Sequence, residues 1–465
     1  MMPVDVDTLG RIAKLFIDRD DASVEEATAT LAGFRVILRC GPEVGRSPTL
    51  QAAVLTAANI ACRCFPSGLR LLGVPDGSIR VPWAPGKTLR GACMDVAGEA
   101  SLGPLDSTWD KAVSVIFGTV NDCTDGLQTA FDGWTCAVSP FRERVRLQER
   151  ERCILTGVAL GALAMSEVFL GNFGVAIEAG ARLAGVSLWR PDLQWDAADA
   201  AGVEASLDHL PNELWLLGLG HLGQAFGWAF SFLPFSTPSE VNIMLQDYDR
   251  VVCANLDTGL LSYLDDIEAF KTRVANAFME RRGLRPRLVE RRFDEHTHPQ
   301  RDEPRVVLAG MDAKGPRHLL DQQGFDLIID CGVGGTIANF DSITINVLPN
   351  GQATAAELWP ANDAEAGARR DEEAMRLASS RGVYQSVFER QRCGHVELAG
   401  RSVAVPFVGA MSAALALSEL VRRVMGAARY DRIHLQLASP VELSATGSHQ
   451  NARMRMPAQR VRRST

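Results

Sequence analysis

Acidic, amide and amine side chains recur at intervals that suit the binding of a nucleoside triphosphate. Asp247 and Asp249 close the apolar stretch VNIMLQ, Asn255 lies eight positions after Asp247, and Lys271 lies sixteen positions further on. Asp312 follows a second apolar stretch, PRVVLAG. An acidic residue at the end of such a strand can accept hydrogen bonds from ribose hydroxyls. Lysine and asparagine can contact phosphate oxygens, and a carboxylate is a suitable ligand for magnesium.

These residues follow a glycine-rich turn that would present backbone N–H groups to phosphate. The segment LWLLGLGHLGQAFGWAF contains Gly218, Gly220 and Gly223 between an apolar strand pattern and an apolar helix pattern. Glycines allow a tight turn and close approach to an anion at a helix N-terminus. A nicotinamide-dependent oxidoreductase and an ATP-using enzyme both fit the turn. The oxidoreductase alternative gives Asn255 and Lys271 no role.

The order and spacing of these residues resemble the ThiF/MoeB and ubiquitin-activating superfamily, whose members adenylate the C-terminal glycine of ubiquitin-like proteins. The resemblance implies ATP and Mg²⁺ as cofactors, with Asp312 as the magnesium ligand and Asn255 and Lys271 near the phosphates. Two positions depart from the family pattern: Thr258 replaces an arginine and Ala313 replaces an asparagine. Either Arg273 substitutes for the missing arginine, or the chain is an inactive scaffold that binds a ubiquitin-like partner.

The resemblance also implies two further candidate residues, Cys393 and Arg11. Cys393 lies in a long insertion, in QRCGHVELAG, and the neighbouring arginine and histidine could lower the pKa of its thiol. It would accept the acyl group as a thioester before transfer to a conjugating enzyme; the alternative is a structural cysteine. Arg11 would reach the nucleotide from the leading helix; the alternative is a surface arginine that caps a helix.

The chain contains an internal repeat. Residues 157–167 can be laid on residues 409–419, with Glu167 opposite Glu419, and FRVILRCGPEVG is a second strand-and-glycine-turn pattern. We therefore predict two tandem Rossmann-like α/β domains, each a mostly parallel sheet with helices on both faces, packed as a pseudo-dimer. The first copy lacks the polar residues of the second, which predicts an inactive domain.

The predicted domain boundaries follow from this repeat. The ranges are an inactive domain over 1–190, a linker over 191–210, an active domain over 211–430 with an insertion at about 350–400, and a C-terminal segment with a basic tail over 431–465. We expect the tail ARMRMPAQRVRRST to be disordered. The resemblance also allows a homodimer.

Composition narrows the class of protein. The 465-residue chain has a net charge of −8, which argues against a general nucleic-acid or membrane-surface binder. Its ten cysteines form no pair of C-x-x-C motifs, so we expect no structural zinc. The N-terminus resembles no targeting signal, which predicts a cytoplasmic protein. With the tandem arrangement and the missing zinc motif, the family resemblance implies a bacterial ubiquitin-like conjugation system of the antiphage type.

Overall fold

Two β-sheets, one from each half of the chain, form the framework of the protein in this computed structural model. The structure describes residues 10–66, 68–143, 145–311, 314–360, 376, 402–447 and 457–461. The helices are α1 (Ala13–Asp20), α2 (Val24–Gly33), α3 (Pro48–Cys64), α4 (Leu89–Ala97), α5 (Leu155–Phe173), α6 (His221–Phe230), α7 (Lys271–Glu280), α8 (Lys314–Arg317), α9 (Ala355–Leu358) and α10 (Pro406–Met425).

The strands of the first half are β1 (Val36–Cys40), β2 (Leu69–Leu72), β3 (Val113–Phe117), β4 (Leu127–Asp132), β5 (Thr135–Pro140) and β6 (Ala184–Ser187). Those of the second half are β7 (His209–Pro211), β8 (Glu213–Leu217), β9 (Asn242–Gln246), β10 (Arg287–Val289), β11 (Val306–Ala309), β12 (Leu327–Val333), β13 (Ser342–Leu348), β14 (Arg432–Gln436), β15 (Ser444–Thr446) and β16 (Ala458–Arg460).

The two sheets share one strand order. The first runs β2-β1-β3-β4-β5-β6, and the second runs β10-β9-β8-β11-β12-β13-β14-β15. In both, the pairs up to β4 or β12 are parallel and the later pairs are antiparallel. The order β9-β8-β11-β12-β13-β14 therefore repeats the whole first sheet. The predicted α/β class is confirmed, and the repeated order is compatible with the predicted pseudo-dimer.

Helices α5 and α10 carry the repeat that was found in the sequence. Each lies in the chain between two neighbouring antiparallel strands of its sheet, α5 between β5 and β6 and α10 between β13 and β14. Helix α5 packs on α3, α10 packs on α6, and α5 and α10 contact each other, so helices lie between the two sheets. Among the described residues, α5 alone is long and apolar enough to cross a membrane, but 89% of its apolar window is buried. It is a core helix of the protein.

Three segments outside these repeats pack on the two halves or extend their sheets. The predicted linker packs on the first half, where the backbone N–H of Trp134 donates to the Ala201 carbonyl at 2.9 Å and its Nε1 atom donates to the Ala205 carbonyl at 3.0 Å. The prediction of a wholly disordered tail is wrong, because β16 pairs with β7 through backbone hydrogen bonds. Strands β14 and β15 also extend the second sheet beyond residue 430, the predicted end of that domain.

Candidate functional site

The glycine turn connects β8 to α6 at the carboxyl edge of the second sheet. Gly218 has a φ of +78°, a conformation that favours glycine. A Cβ built on Gly223 would lie 1.8 Å from the Gly218 carbonyl oxygen, so no side chain fits there. Gly220 is the N-cap of α6 and supplies no side-chain cap. The turn thus leaves backbone donors at the helix N-terminus, where anions bind favourably.

Asp247, the residue after β9, accepts a hydrogen bond from the backbone of this turn. Its Oδ2 atom accepts a hydrogen bond from the Leu219 N–H at 2.5 Å, and its Oδ1 atom accepts one from the Asp249 N–H at 2.8 Å. Burial raises the pKa of Asp247, while the Lys271 charge and these N–H donors act in the opposite direction. The structure therefore brings Asp247 to the glycine turn and gives its carboxylate a backbone-positioning role, while its predicted contact with ribose stays a prediction.

Lys271 joins the same edge of the sheet. It is the first residue of α7, its side chain is largely buried, and its Nζ atom lies 2.9 Å from the Asp249 Oδ2 atom. The Lys271 N–H also donates to the Asp249 carbonyl. The ammonium group is held at one position, and a bound phosphate would compete with Asp249 for it.

Asn255, which fits the family pattern, and Thr258, which departs from it, are both buried, and the second departure, Ala313, lies outside the described residues. Asn255 is buried in a short 3₁₀ helix, where its Oδ1 atom accepts a hydrogen bond from the Val252 N–H. Thr258 is 1% exposed. Arg273, the suggested substitute for the missing arginine, is 61% exposed and forms a two-point contact with Glu290. The Arg273 guanidinium is therefore ion-paired with the Glu290 carboxylate at the surface.

Arg11 lies beside Asp257 of the second half, and its predicted role at the nucleotide stays a prediction. The Ile12 N–H donates to the Asp257 Oδ2 atom at 3.0 Å, and a Cβ built on Gly10 would lie 2.5 Å from that oxygen. Burial raises the pKa of Asp257 to about 6, and the Ile12 N–H and the Arg11 charge moderate this rise. The sequence prediction missed Asp257, although an acid in the apolar and glycine-rich NLDTGLL was a signal.

The corresponding turn of the first half is filled by carboxylates. Glu151 accepts hydrogen bonds from the hydroxyls of Ser47 and Thr49 and from the Thr49 N–H at the N-terminus of α3. Glu43 accepts one from the Thr119 N–H at 3.0 Å. Burial raises the pKa of Glu151, and the hydroxyl donors lower it. Protein carboxylates thus occupy the place where an anion would bind to the first copy.

Two of the predicted site residues, Asp312 and Cys393, lie outside the described residues. Five positions after Asp312 in the sequence, Arg317 contacts a buried carboxylate that the sequence prediction missed: its Nε atom lies 3.2 Å from the Asp330 Oδ1 atom. Burial raises the pKa of Asp330 to about 6, and Arg317 lowers it. The apolar stretch LIIDCGVGG gives no sign in the sequence that its acid pairs with an arginine.

Comparison with known proteins gives the family. Models described as the BilD N-terminal domain and the BilD C-terminal domain match residues 35–188 and 210–427. The chain is 36% identical over 437 residues to the bacterial E1-like protein BilD of Collimonas sp. (strain OK412), an alignment that covers 93% of this chain and 92% of that protein.

Solved structures show weaker similarity. Escherichia coli MccB is 11% identical with a TM-score of 0.35, covering 70% of this chain and 92% of its own. The E. coli tRNA N6-threonylcarbamoyladenosine dehydratase TcdA is 14% identical with a TM-score of 0.29, covering 46% and 85%. Superposition at this level assigns no residues. The relationship to the Collimonas protein confirms the family predicted from the residue spacing. The chain belongs to the BilD family of bacterial E1-like proteins.

Proposed function

We propose that this chain uses ATP to adenylate the C-terminal carboxylate of a ubiquitin-like protein at the Gly218–Gly223 turn. The observation that carries the proposal is that three features lie at one edge of the sheet. They are the N-terminus of α6 without a side-chain cap, the Asp247 carboxylate that accepts the Leu219 N–H, and the Lys271–Asp249 ion pair. The E1-like description of the Collimonas relative supports it.

In this mechanism the residues mainly position charge. The α6 N-terminus and Lys271 bind phosphate oxygens, and Asp247 lies where the ribose binds. A carboxylate oxygen of the partner attacks the α-phosphorus, the bond to the bridging oxygen breaks, and pyrophosphate leaves. Fixed donors around the phosphates stabilise the charge that develops.

Asp312 would hold Mg²⁺ in this site. It follows β11 by three residues, β11 lies next to β8, and a carboxylate is a hard oxygen ligand of the type that Mg²⁺ prefers. The ion would neutralise phosphate charge when bound.

Pyrophosphate exchange tests the adenylation step. Purified protein should exchange labelled pyrophosphate into ATP only when a ubiquitin-like protein ending in glycine is present, and the same partner without its last glycine is the control. Lys271→Ala should lower the exchange rate by about a hundredfold, because one phosphate ligand is removed. Lys87→Ala, which removes an exposed lysine paired with Asp95, should not change it.

Two outcomes would favour the alternatives. Binding of the partner without any exchange by the wild-type protein indicates an inactive scaffold, which the loss of arginine at Thr258 would explain. Tight binding of NAD and not of ATP indicates an oxidoreductase.

Cys393 is our proposed acceptor of the acyl group. Its thiolate sulfur would attack the carbonyl carbon of the acyl adenylate, forming the thioester as AMP leaves. A band on a non-reducing gel that disappears with dithiothreitol and with Cys393→Ala is the expected result. Normal exchange with no such band means that the thiol is not an acceptor. We place this activity in a cytoplasmic, antiphage ubiquitin-like conjugation system of bacteria.

A further inference from the structure

A short loop between Asn255 and Lys271 links the two halves of the protein at the proposed nucleotide site. We call residues 259–262 the bridging loop. On its second-half side, the Gln224 Oε1 atom accepts hydrogen bonds from the Leu261 N–H at 2.9 Å and the Ser262 hydroxyl at 3.0 Å. The Gln224 Nε2 atom donates to the Leu219 carbonyl in the glycine turn at 3.3 Å. One buried side chain thus connects the bridging loop to the turn.

The first half holds the carbonyl groups of the same loop. From α3, the Asn59 Nδ2 atom donates to Leu260 at 3.0 Å. The Arg63 Nε atom donates to Gly259 at 2.9 Å, and its Nη2 atom donates to Ser262 at 3.0 Å. Both Asn59 and Arg63 are buried. The planar guanidinium therefore fixes two carbonyls at once, a geometry that a single ammonium group does not reproduce.

Helix α3 has a particular place in the duplicated fold. It follows β1 in the first half, as α6 follows the glycine turn in the second half. At its N-terminus, Glu151 accepts the available hydrogen bonds. At its C-terminal part, Arg63 hydrogen-bonds to the bridging loop beside the proposed nucleotide site. Burial of a charged group in this way has a desolvation cost that an apolar residue would avoid. The buried arginine is explained if the protein requires one fixed conformation of the bridging loop, because Arg63 hydrogen-bonds to two carbonyls of that loop.

We propose that Arg63 is a positioning residue for the nucleotide site. Through the bridging loop and Gln224, it sets the position of the Gly218–Gly223 turn, so the first half contributes to adenylation without binding nucleotide. This inference rests on the proposed function, because the turn must bind ATP for its position to matter. Arg63 itself touches the loop and not the reacting atoms.

Arg63→Ala tests the proposal, with Arg182→Ala as the matched control. Arg182 also crosses from the first half to two second-half carbonyls, those of Leu437 and Ala438, but these lie outside the bridging loop. We expect Arg63→Ala to lower kcat/KM for ATP in pyrophosphate exchange by about tenfold or more. Arg182→Ala should lower the melting temperature and leave exchange within about twofold of wild type.

Two further variants keep the test decisive if Arg63→Ala does not fold. Arg63→Lys should recover part of the lost kcat/KM, and Asn59→Ala should raise the KM for ATP through its single lost contact. If Arg63→Ala, or Asn59→Ala in its place, shows the kinetics of Arg182→Ala, the inference is wrong and the proposed function stands. If the wild-type protein shows no exchange with its bound partner, the proposed function fails first, and the inference fails with it.

Discussion

Glu167 and Glu419 occupy equivalent positions on α5 and α10, and each carboxylate orients an arginine that donates a hydrogen bond to the opposite half. The Glu167 Oε1 atom lies 2.6 Å from Arg182, and the Glu419 Oε2 atom lies 2.5 Å from Arg422. The arginines occupy different positions: Arg422 lies one helical turn after its glutamate, and Arg182 lies in the loop after α5. The carboxylate is therefore the duplicated element, and the two halves recruit different arginines to it.

The acceptors of these arginines are also equivalent. Arg422 donates to Leu188, the residue after β6, and Arg182 donates to Leu437, the residue after β14. An arginine from each half thus hydrogen-bonds to the residue that follows β6 or β14 in the other half. Both glutamates therefore hydrogen-bond to arginines that connect the two halves.

Glu419→Gln should destabilise the protein strongly. Glu419 is fully buried and neutralises both Arg422 and Arg423, so the substitution leaves buried positive charge without its partner. We expect the free energy of unfolding to fall by about 3–5 kcal/mol in urea titrations. Asp95→Asn breaks an exposed ion pair with Lys87 and should leave the unfolding curve almost unchanged. Equal midpoints for the two variants would contradict the assignment.

Two glycine substitutions should separate folding of the turn from binding of the nucleotide. Among the described residues, no atom lies within 4 Å of a Cβ built on Gly220, so Gly220→Ala should fold normally. Its methyl group would enter the space above the α6 N-terminus and raise the KM for ATP by about tenfold. Gly223→Ala should disrupt the turn because of the 1.8 Å clash with the Gly218 carbonyl oxygen. Circular dichroism and exchange kinetics distinguish these effects, and an unchanged KM in folded Gly220→Ala would contradict the proposed phosphate site.

The stability of the protein should depend on pH through Asp257. Because burial raises its pKa in the folded state from 3.8 to about 6, the folded state binds the proton more tightly than the unfolded state does. This contribution is fully present below about pH 4 and is lost as the pH rises through 6. For Asp257 alone the loss is about 2–3 kcal/mol.

Asp257→Asn isolates this contribution, since Asp330 has a raised pKa of about 6 as well. In urea titrations from pH 4 to 7.5, the stability of the variant relative to wild type should increase with pH and level off above pH 6. Asp330→Asn should behave in the same direction, and exposed Asp95→Asn should not. Parallel curves for Asp257→Asn and wild type would show that the Asp257 carboxyl titrates normally.

The protein should bind one ATP molecule per chain. Glu43 and Glu151 occupy the first turn, so of the two strand-to-helix turns in the described part of the chain the one at the α6 N-terminus is open to phosphate. Isothermal titration calorimetry should give a stoichiometry near one, and Lys271→Ala should weaken that single event. A stoichiometry of two would mean that the glutamates are displaced by nucleotide.

The sequence allowed prediction of those features that depend on local pattern. The glycine turn, the repeat of α5 and α10 and the acid at the end of β9 follow from short periodic segments. Arg63 could not be found in this way, because it meets Gly259 across 196 residues of chain and lies in an ordinary apolar helix pattern. The strand β16 was missed for the same reason: a basic tail gives no sign that β7 is available for pairing.

The carboxylates that fill the first turn also bear on how the two halves can change over evolutionary time. A half that no longer binds nucleotide is released from selection on that chemistry, while its contacts with the working half remain under selection. We therefore expect the residues around Glu43 and Glu151 to drift among relatives of this protein. Asn59 and Arg63, which hold the bridging loop, should be retained. Similarity among relatives in the first half should therefore be greatest on the surface that packs against the second half.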